Sequence, residues 1–120
     1  MTVNRERMEL WAQALESDGY EQCAGSLRLS LRHSDQPMHC AQGVAMAVAE
    51  MHGVQIDRGE WGGVSMPPQV YRWYGITGTV FVDHGELGRM TVFAANDGAH
   101  LSFWEIAQLL RAKYVKEEGS

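Results

Sequence analysis

At 120 residues, with 45% of them hydrophobic, the chain has material for one core and not for two, so a single domain over residues 1–120 is expected. A formal charge of −5 and scattered Lys and Arg exclude a phosphate-binding face, and no nucleic-acid partner is expected. No apolar run approaches the roughly 18–20 residues of a membrane span, and the start around Arg5, Glu6, Arg7 and Glu9 lacks a signal peptide's apolar centre; the expectation is a cytoplasmic protein with no membrane partner.

The first predicted element is a helix from Arg5 to Glu16. Met8, Trp11 and Leu15 form one stripe, Leu10 and Ala14 lie beside it, and Glu6, Glu9, Gln13 and Glu16 face outward. Ser17-Asp18-Gly19 stops it, with Gly19 expected at positive φ and Tyr20 folding back on the helix end. From Glu21 to Arg32, Leu27, Leu29 and Leu31 alternate with Arg28, Ser30 and Arg32, the period of a short strand with one wet face. His33-Ser34-Asp35-Gln36-Pro37 is a polar turn in which Ser34 or Asp35 can cap the next helix, fixing its start near Pro37.

Met38 to Gly53 is the predicted central helix. Cys40, Val44, Val48 and Met51 recur at helical spacing, Ala41, Ala45 and His52 flank them, and Gly43, Ala47 and Ala49 allow neighbours to approach closely. A helix apolar nearly all round belongs in a core, and Gly53 stands where a left-handed terminal residue is wanted. Val54 to Met66 is a loop in which Trp61 stands alone among Gly59, Gly62 and Gly63; it either docks into the core or is presented to a partner. Pro67-Pro68 opens a short helix carrying Val70, Trp73 and Tyr74, which Gly75 ends.

Thr79 to Thr91 reads as a hairpin turning through Asp83-His84-Gly85-Glu86-Leu87-Gly88. Residues 92–97 are open between a continuing strand and a helical turn capped by Thr91. The last helix has the clearest start: Ser102 and Glu105 form a capping box, and Leu101 with Ile106 can make a hydrophobic staple. Phe103, Ile106, Ala107, Leu110 and Tyr114 give its buried face, Lys113 and Lys116 suit its negative end, and residues 117–120 should fray. The predicted fold class is α+β: three to four helices around a central helix at about 38–52, with a short hairpin or three-stranded sheet. Trp11, Val44, Val48 and Ile106 are expected to share one core cluster.

Candidate chemistry is sparse. Cys23 and Cys40 read as reduced thiols, and neither they nor the neighbouring His33 and His39 have metal-ligand spacing, so no metal or cofactor is expected. Asn96 and Asp97 are either a turn bonding local amides or, with Tyr20 and Gln22, one wall of a polar pocket. An enzymatic reading needs Cys40 in the first turn of the central helix as nucleophile, His39 or His100 as base, and Asn96 or Asp97 to orient it. A helix-turn-helix reading of SFWEIAQLLR fails, because only six residues follow Tyr114.

Trp11 with Ala14-Leu15, Gly19-Tyr20 with Gln22, Cys40 with Gly43-Val44, Pro67-Pro68 with Val70, Trp73 and Gly75, and Asn96-Asp97 with Ser102-Phe103 and Glu105-Ile106-Ala107 occur in that order. Together they resemble a family of small uncharacterised proteins from phages and actinobacterial prophages. That family's pattern runs W-x-x-A-L-x-S-G-x-Y-x-Q, then F-C-C-L-G-V-L-C-D-L, then L-P-x-x-V-x-x-W-x-G-L, then L-N-D-x-G-x-S-F-x-E-I-A. The chain departs from it at Ala41, Met46 and Ala47, where the family carries further cysteines and an acid, so no cysteine-based metal role carries over.

The resemblance implies a phage-encoded accessory protein, acting in the host cytoplasm, that binds a host protein or a small signalling molecule without catalysis. The alternative is a small hydrolase or transferase using Cys40. For a binding module, the expected contact surface is Trp61 with Asp57 and Glu60 in one loop and Asp83 and Glu86 in the hairpin turn, where glycines let the backbone conform and the acids favour a basic partner.

Overall fold

The computed structural model describes residues 3–17, 19–29, 37–63, 65–76 and 78–115. Helix α1 spans Arg5–Glu16 as the sequence predicts; Asn4 caps it by accepting the Arg7 amide at 3.0 Å, and Met8, Trp11, Ala12 and Leu15 are buried. Its end differs from expectation. Ser17 takes an extended conformation with its hydroxyl donating to the Ala14 carbonyl at 2.7 Å, so the helix is closed before Gly19, which has no positive φ.

The segment expected as one strand is two short ones, β1 (Glu21–Gln22) and β2 (Arg28–Leu29). Gly25 at φ +86° turns the chain between them. Leu27 lies in the bend before β2 and is fully buried, whereas Leu29 is 39% exposed, so the leucine alternation does not mark a single buried face. Leu31, Ser34, Asp35 and the polar turn to Gln36 lie outside the described residues.

Met38–His39 form β3, parallel to β1 and antiparallel to β2. This corrects the expected start of the central helix. Backbone groups of Met38 and His39 serve strands on both sides, and that pairing outweighs their local helical pattern. Helix α2 is therefore Ala41–Met51, with Cys40 as its cap. Gly53, at φ +99°, follows the helix as predicted. Met51, expected on the buried stripe, is instead 78% exposed, although Val48 and Ala49 in the same last turn of α2 are buried.

Gly43 explains how closely α2 lies against the bend before β2. A Cβ there would stand 1.8 Å from the Leu27 carbonyl oxygen, which also accepts the Cys40 amide at 3.2 Å. Only glycine permits that backbone contact. Two aromatic residues hold the same helix from other sides: Trp11 Nε1 donates to the Ala41 carbonyl at 2.9 Å, and the Tyr74 hydroxyl to the Ala45 carbonyl at 2.6 Å. These acceptors are one helical turn apart, so α1 and α3 (Pro68–Tyr74, ended by Gly75 at φ 73°) are fixed to successive turns of α2.

The loop before α3 contains a 3-10 turn at Arg58–Gly62. Strands β4 (Phe81–His84) and β5 (Gly88–Thr91) make the predicted hairpin, with Phe81 opposite Thr91. The open segment proves helical: α4 is Val92–Asp97, and Thr91 Oγ1 accepts the Ala94 amide at 2.9 Å. Helix α5 (Phe103–Leu110) has the predicted capping box, with the Glu105 amide 3.1 Å from Ser102 Oγ. A π turn, Arg111–Val115, continues it; its Tyr114 hydroxyl donates to the Phe81 carbonyl and accepts the Phe81 amide.

The class is α+β. Trp11, Val44, Val48 and Ile106 belong to one hydrophobic cluster, as expected, and Leu101 of the predicted staple is in it too. The radius of gyration, 13.6 Å, is what a single folded unit of this length should show, about 13–14 Å.

Candidate functional site

Tyr20, Gln22, Asn96 and Asp97 were singled out from sequence, and the fold brings the last three together. Asn96, in the last turn of α4, is 3% exposed. Its Oδ1 accepts from Gln22 Nε2 at 2.8 Å and from the Ala41 amide at 3.2 Å; its Nδ2 donates to the Cys23 carbonyl and to Asp97 Oδ1, both at 2.7 Å. Those four bonds use the whole capacity of a primary amide. Gln22 Nε2 also donates to the Leu101 carbonyl at 2.8 Å, and Asp97 Oδ2 accepts the Gly25 amide at 2.8 Å. An open cleft of about 280 Å³ lies alongside, lined by Gln22, Cys23, Ala24, Asn96 and His100. Asn96 and the Gln22 amide nitrogen in its wall are thus internally bonded. They tie the β1 segment, the start of α2 and the end of α4 into one joint.

Tyr20 stands apart from this group, its ring edge-on to His39 at 5.1 Å. His39 is buried between Tyr20 and Trp61, whose centroid is 5.9 Å away. Burial, with the Arg28 charge adding to it, lowers the imidazole's pKa below the usual range, so this histidine is neutral at physiological pH.

The cysteine centre does not assemble. Cys40 is buried, and its Sγ accepts the Gly43 amide at 3.3 Å as the cap of α2. Burial pushes the thiol up to about 11, against the smaller opposing pull of the backbone amides. Helix-start amides lower a thiol's pKa only where the thiolate can be solvated, and here desolvation is the larger effect. Among the described residues no imidazole hydrogen-bonds Cys40. His100 is exposed, with φ 56° in the turn between α4 and α5. Asp97 serves the Gly25 amide and Asn96 rather than a histidine.

The expected loop surface is also corrected. Trp61 is 4% exposed and part of the core cluster, with the Arg28 guanidinium 4.3 Å above its ring. Glu60 accepts the Asp57 amide at 2.9 Å and Gln69 Nε2 at 3.0 Å, and Asp83 pairs with Lys113 at 2.9 Å. Asp57 and Glu86 are exposed, without the aromatic anchor expected beside them.

Two residues the sequence reading passed over stand out. Trp104 is 61% exposed; the capping box sets the phase of α5, and that phase already placed position 104 away from the stripe of Phe103, Ile106 and Leu110. Gln42 is 6% exposed, and its Oε1 has no hydrogen-bond partner among the described residues. Its signal was a long polar side chain inside an otherwise apolar helix. Among the described residues no three His, Cys, Asp or Glu side chains gather as a metal site, and no helix is long and apolar enough to cross a membrane. No family model, curated protein or solved structure matches the chain.

Proposed function

We propose that the protein is a non-enzymatic accessory protein that acts by binding a host protein or a small signalling molecule in a cytoplasm. The observation that carries this reading is the condition of Cys40. The residue best suited to covalent chemistry is a buried helix cap whose thiol is raised to about 11, with no imidazole hydrogen-bonded to it among the described residues, so at neutral pH it is neither ionised nor reachable. Of the other catalytic candidates, Asp97 bonds Asn96 and the Gly25 amide, His39 is a buried neutral ring, and His100 is exposed in the turn before α5. Binding material is present at the surface, where Met51, Leu87 and Trp104 are 78%, 56% and 61% exposed; a tryptophan held outward on a helix is a common anchor of contacts. The resemblance to phage and prophage proteins supports the accessory role.

The test is thiol labelling of the folded protein with iodoacetamide at neutral pH, read site by site by mass spectrometry. Cys40 should stay unmodified over a period in which the urea-denatured chain reacts fully. Rapid stoichiometric modification of folded Cys40 would overturn the reading in favour of the hydrolase or transferase.

A further inference from the structure

The pairing of β1 with β3 brings the chain's two cysteines to adjacent positions. These strands run parallel with Gln22 opposite His39, and the Cys23 amide extends the ladder by donating to the His39 carbonyl at 2.9 Å. The next pair in that register is Cys23 with Cys40. Paired residues of neighbouring strands project from the same face of the sheet, and Cys40 is still extended, at φ −82° and ψ 174°. One step further, a continued ladder would have the Ala41 amide donate to the Cys23 carbonyl. The Asn96 carboxamide stands between those two groups instead, accepting from Ala41 and donating to Cys23. The cysteine pair therefore lies between a closed rung and a splayed one. Paired strands are roughly 4.7–4.9 Å apart, and disulfides span Cα separations of about 4.4–6.8 Å, so a rung opened slightly from the first spacing falls within the second range.

Both thiols are free, and they differ in access. Cys23 is partly exposed and lines the open cleft beside Asn96, with its Sγ donating to the Ser26 carbonyl at 3.6 Å. Cys40 is 4% exposed, and its Sγ accepts the Gly43 amide. A charge on Cys23 would raise the Cys40 thiol further, an effect smaller than burial but one that only a nearby group exerts. The outer thiol can meet a dissolved reagent, and the inner one has only to reach its neighbour.

We propose that Cys23 and Cys40 are a redox-sensitive pair, which closes to a disulfide when the protein meets a small dissolved disulfide and in closing releases the cap of α2. In the first step Cys23 loses its proton to water and its sulfur attacks one sulfur of the reagent, whose S–S bond breaks and whose other half leaves as a thiol. In the second step the Cys40 sulfur gives up its proton and attacks the Cys23 sulfur, and the remaining half leaves as a second thiol. The two protein thiols are oxidised by two electrons, and one reagent disulfide is reduced to two thiols. Drawing Cys40 Sγ to bonding distance of Cys23 takes it from the Gly43 amide, so oxidation is felt at the start of α2 and at the Asn96 joint. The inference goes beyond the binding reading and does not rest on it, because alkylation from solvent and transfer from Cys23 are different routes to Cys40.

The experiment incubates the folded full chain with glutathione disulfide at mildly alkaline pH, quenches samples in acid and maps the sulfur bonds by mass spectrometry of peptides. The parent should carry glutathione on Cys23 first and then a Cys23–Cys40 disulfide, two hydrogens lighter than the reduced chain. Its Gly43 amide resonance should move on oxidation and return on reduction. Cys40→Ser, which keeps a capping side chain at the start of α2, should stop at the glutathione adduct. Cys23→Ser should leave Cys40 unmodified over the time in which the parent closes. The parent alone decides whether the bridge forms, so an unstable variant leaves the test intact. A parent that accumulates the Cys23 adduct without closing, closes only in urea, or bridges two chains instead would overturn the proposal. So would a Gly43 resonance unmoved by oxidation, or glutathione appearing on Cys40 of folded Cys23→Ser as fast as it appears on Cys23 of the parent.

Discussion

A single amide can be read as a ligand group or as a joint, and Asn96 shows what separates the two. Every donor and acceptor on its side chain is already matched by Gln22, Ala41, Cys23 and Asp97, whereas Gln42 Oε1 is matched by nothing described. Saturated buried networks rigidify a fold, and a missing partner in them is costly. Asn96→Ala leaves the Ala41 amide and the Cys23 carbonyl unpaired, at about 1–3 kcal/mol each, and should lower stability by roughly 3 kcal/mol in a urea titration. A loss below about 0.5 kcal/mol, the usual range for an inconsequential surface change, would show that the network contributes nothing to the joint. The sequence marked Tyr20, Gln22, Asn96 and Asp97 as a group, of which Tyr20 packs on His39 instead, and it did not show the saturation of the other three, because their partners lie on other parts of the chain. It likewise offered Gly43 as a small residue without its reason, the Leu27 carbonyl 1.8 Å from where a Cβ would be.

Among the elements, those whose specification is local were legible. Helix α1 has its cap and stripe within one window, α5 has its capping box, and the β4–β5 hairpin has its turn chemistry. What could not be read was β3, which is strand only because β1 and β2 flank it; taken alone, Met38-His39 continues the periodicity of α2. The pairing of α1 with α5 was similarly hidden. Arg111 meets Glu9 through two nitrogens, each at 2.8 Å, and Glu16 at 2.6 Å, a three-member network on a partly covered face. The Arg111 hydrogen bonds are the largest cause holding both carboxyls below their ordinary value of 4.5. A depressed folded-state pKa means stability that is complete above that ordinary value and is lost as pH falls through the lower folded value. Arg111→Ala should therefore destabilise by roughly 1 kcal/mol at pH 7, and the gap from the parent should close as urea titrations are taken to pH values well below 4.5. A gap unchanged in acid would assign the loss to the arginine's packing instead.

For the whole molecule, the question is whether the loop between α2 and α3 belongs to the cooperative unit or is an appendage free to meet a partner. The location of Trp61 decides it. The indole lies in the one cluster that also holds Trp11, Val44 and Ile106, with Arg28 across its face and the His39 ring edge-on. The Leu27 amide donates to the Gly63 carbonyl at 2.9 Å, so the backbone of this loop is joined to the bend before β2 as well. Removing a buried tryptophan costs about 3–5 kcal/mol, against a total near 5–15 kcal/mol for a domain of ordinary stability. Trp61→Ala should accordingly lower the melting temperature by roughly 10–20 °C. Because the cluster is continuous, that melt should remain a single transition, with far-UV circular dichroism and tryptophan fluorescence changing together. A melting temperature within a few degrees of the parent would mean that the loop is energetically separate from the core. An early fluorescence change ahead of the loss of helix would mean that it detaches first, and Trp61 would then return as a contact residue.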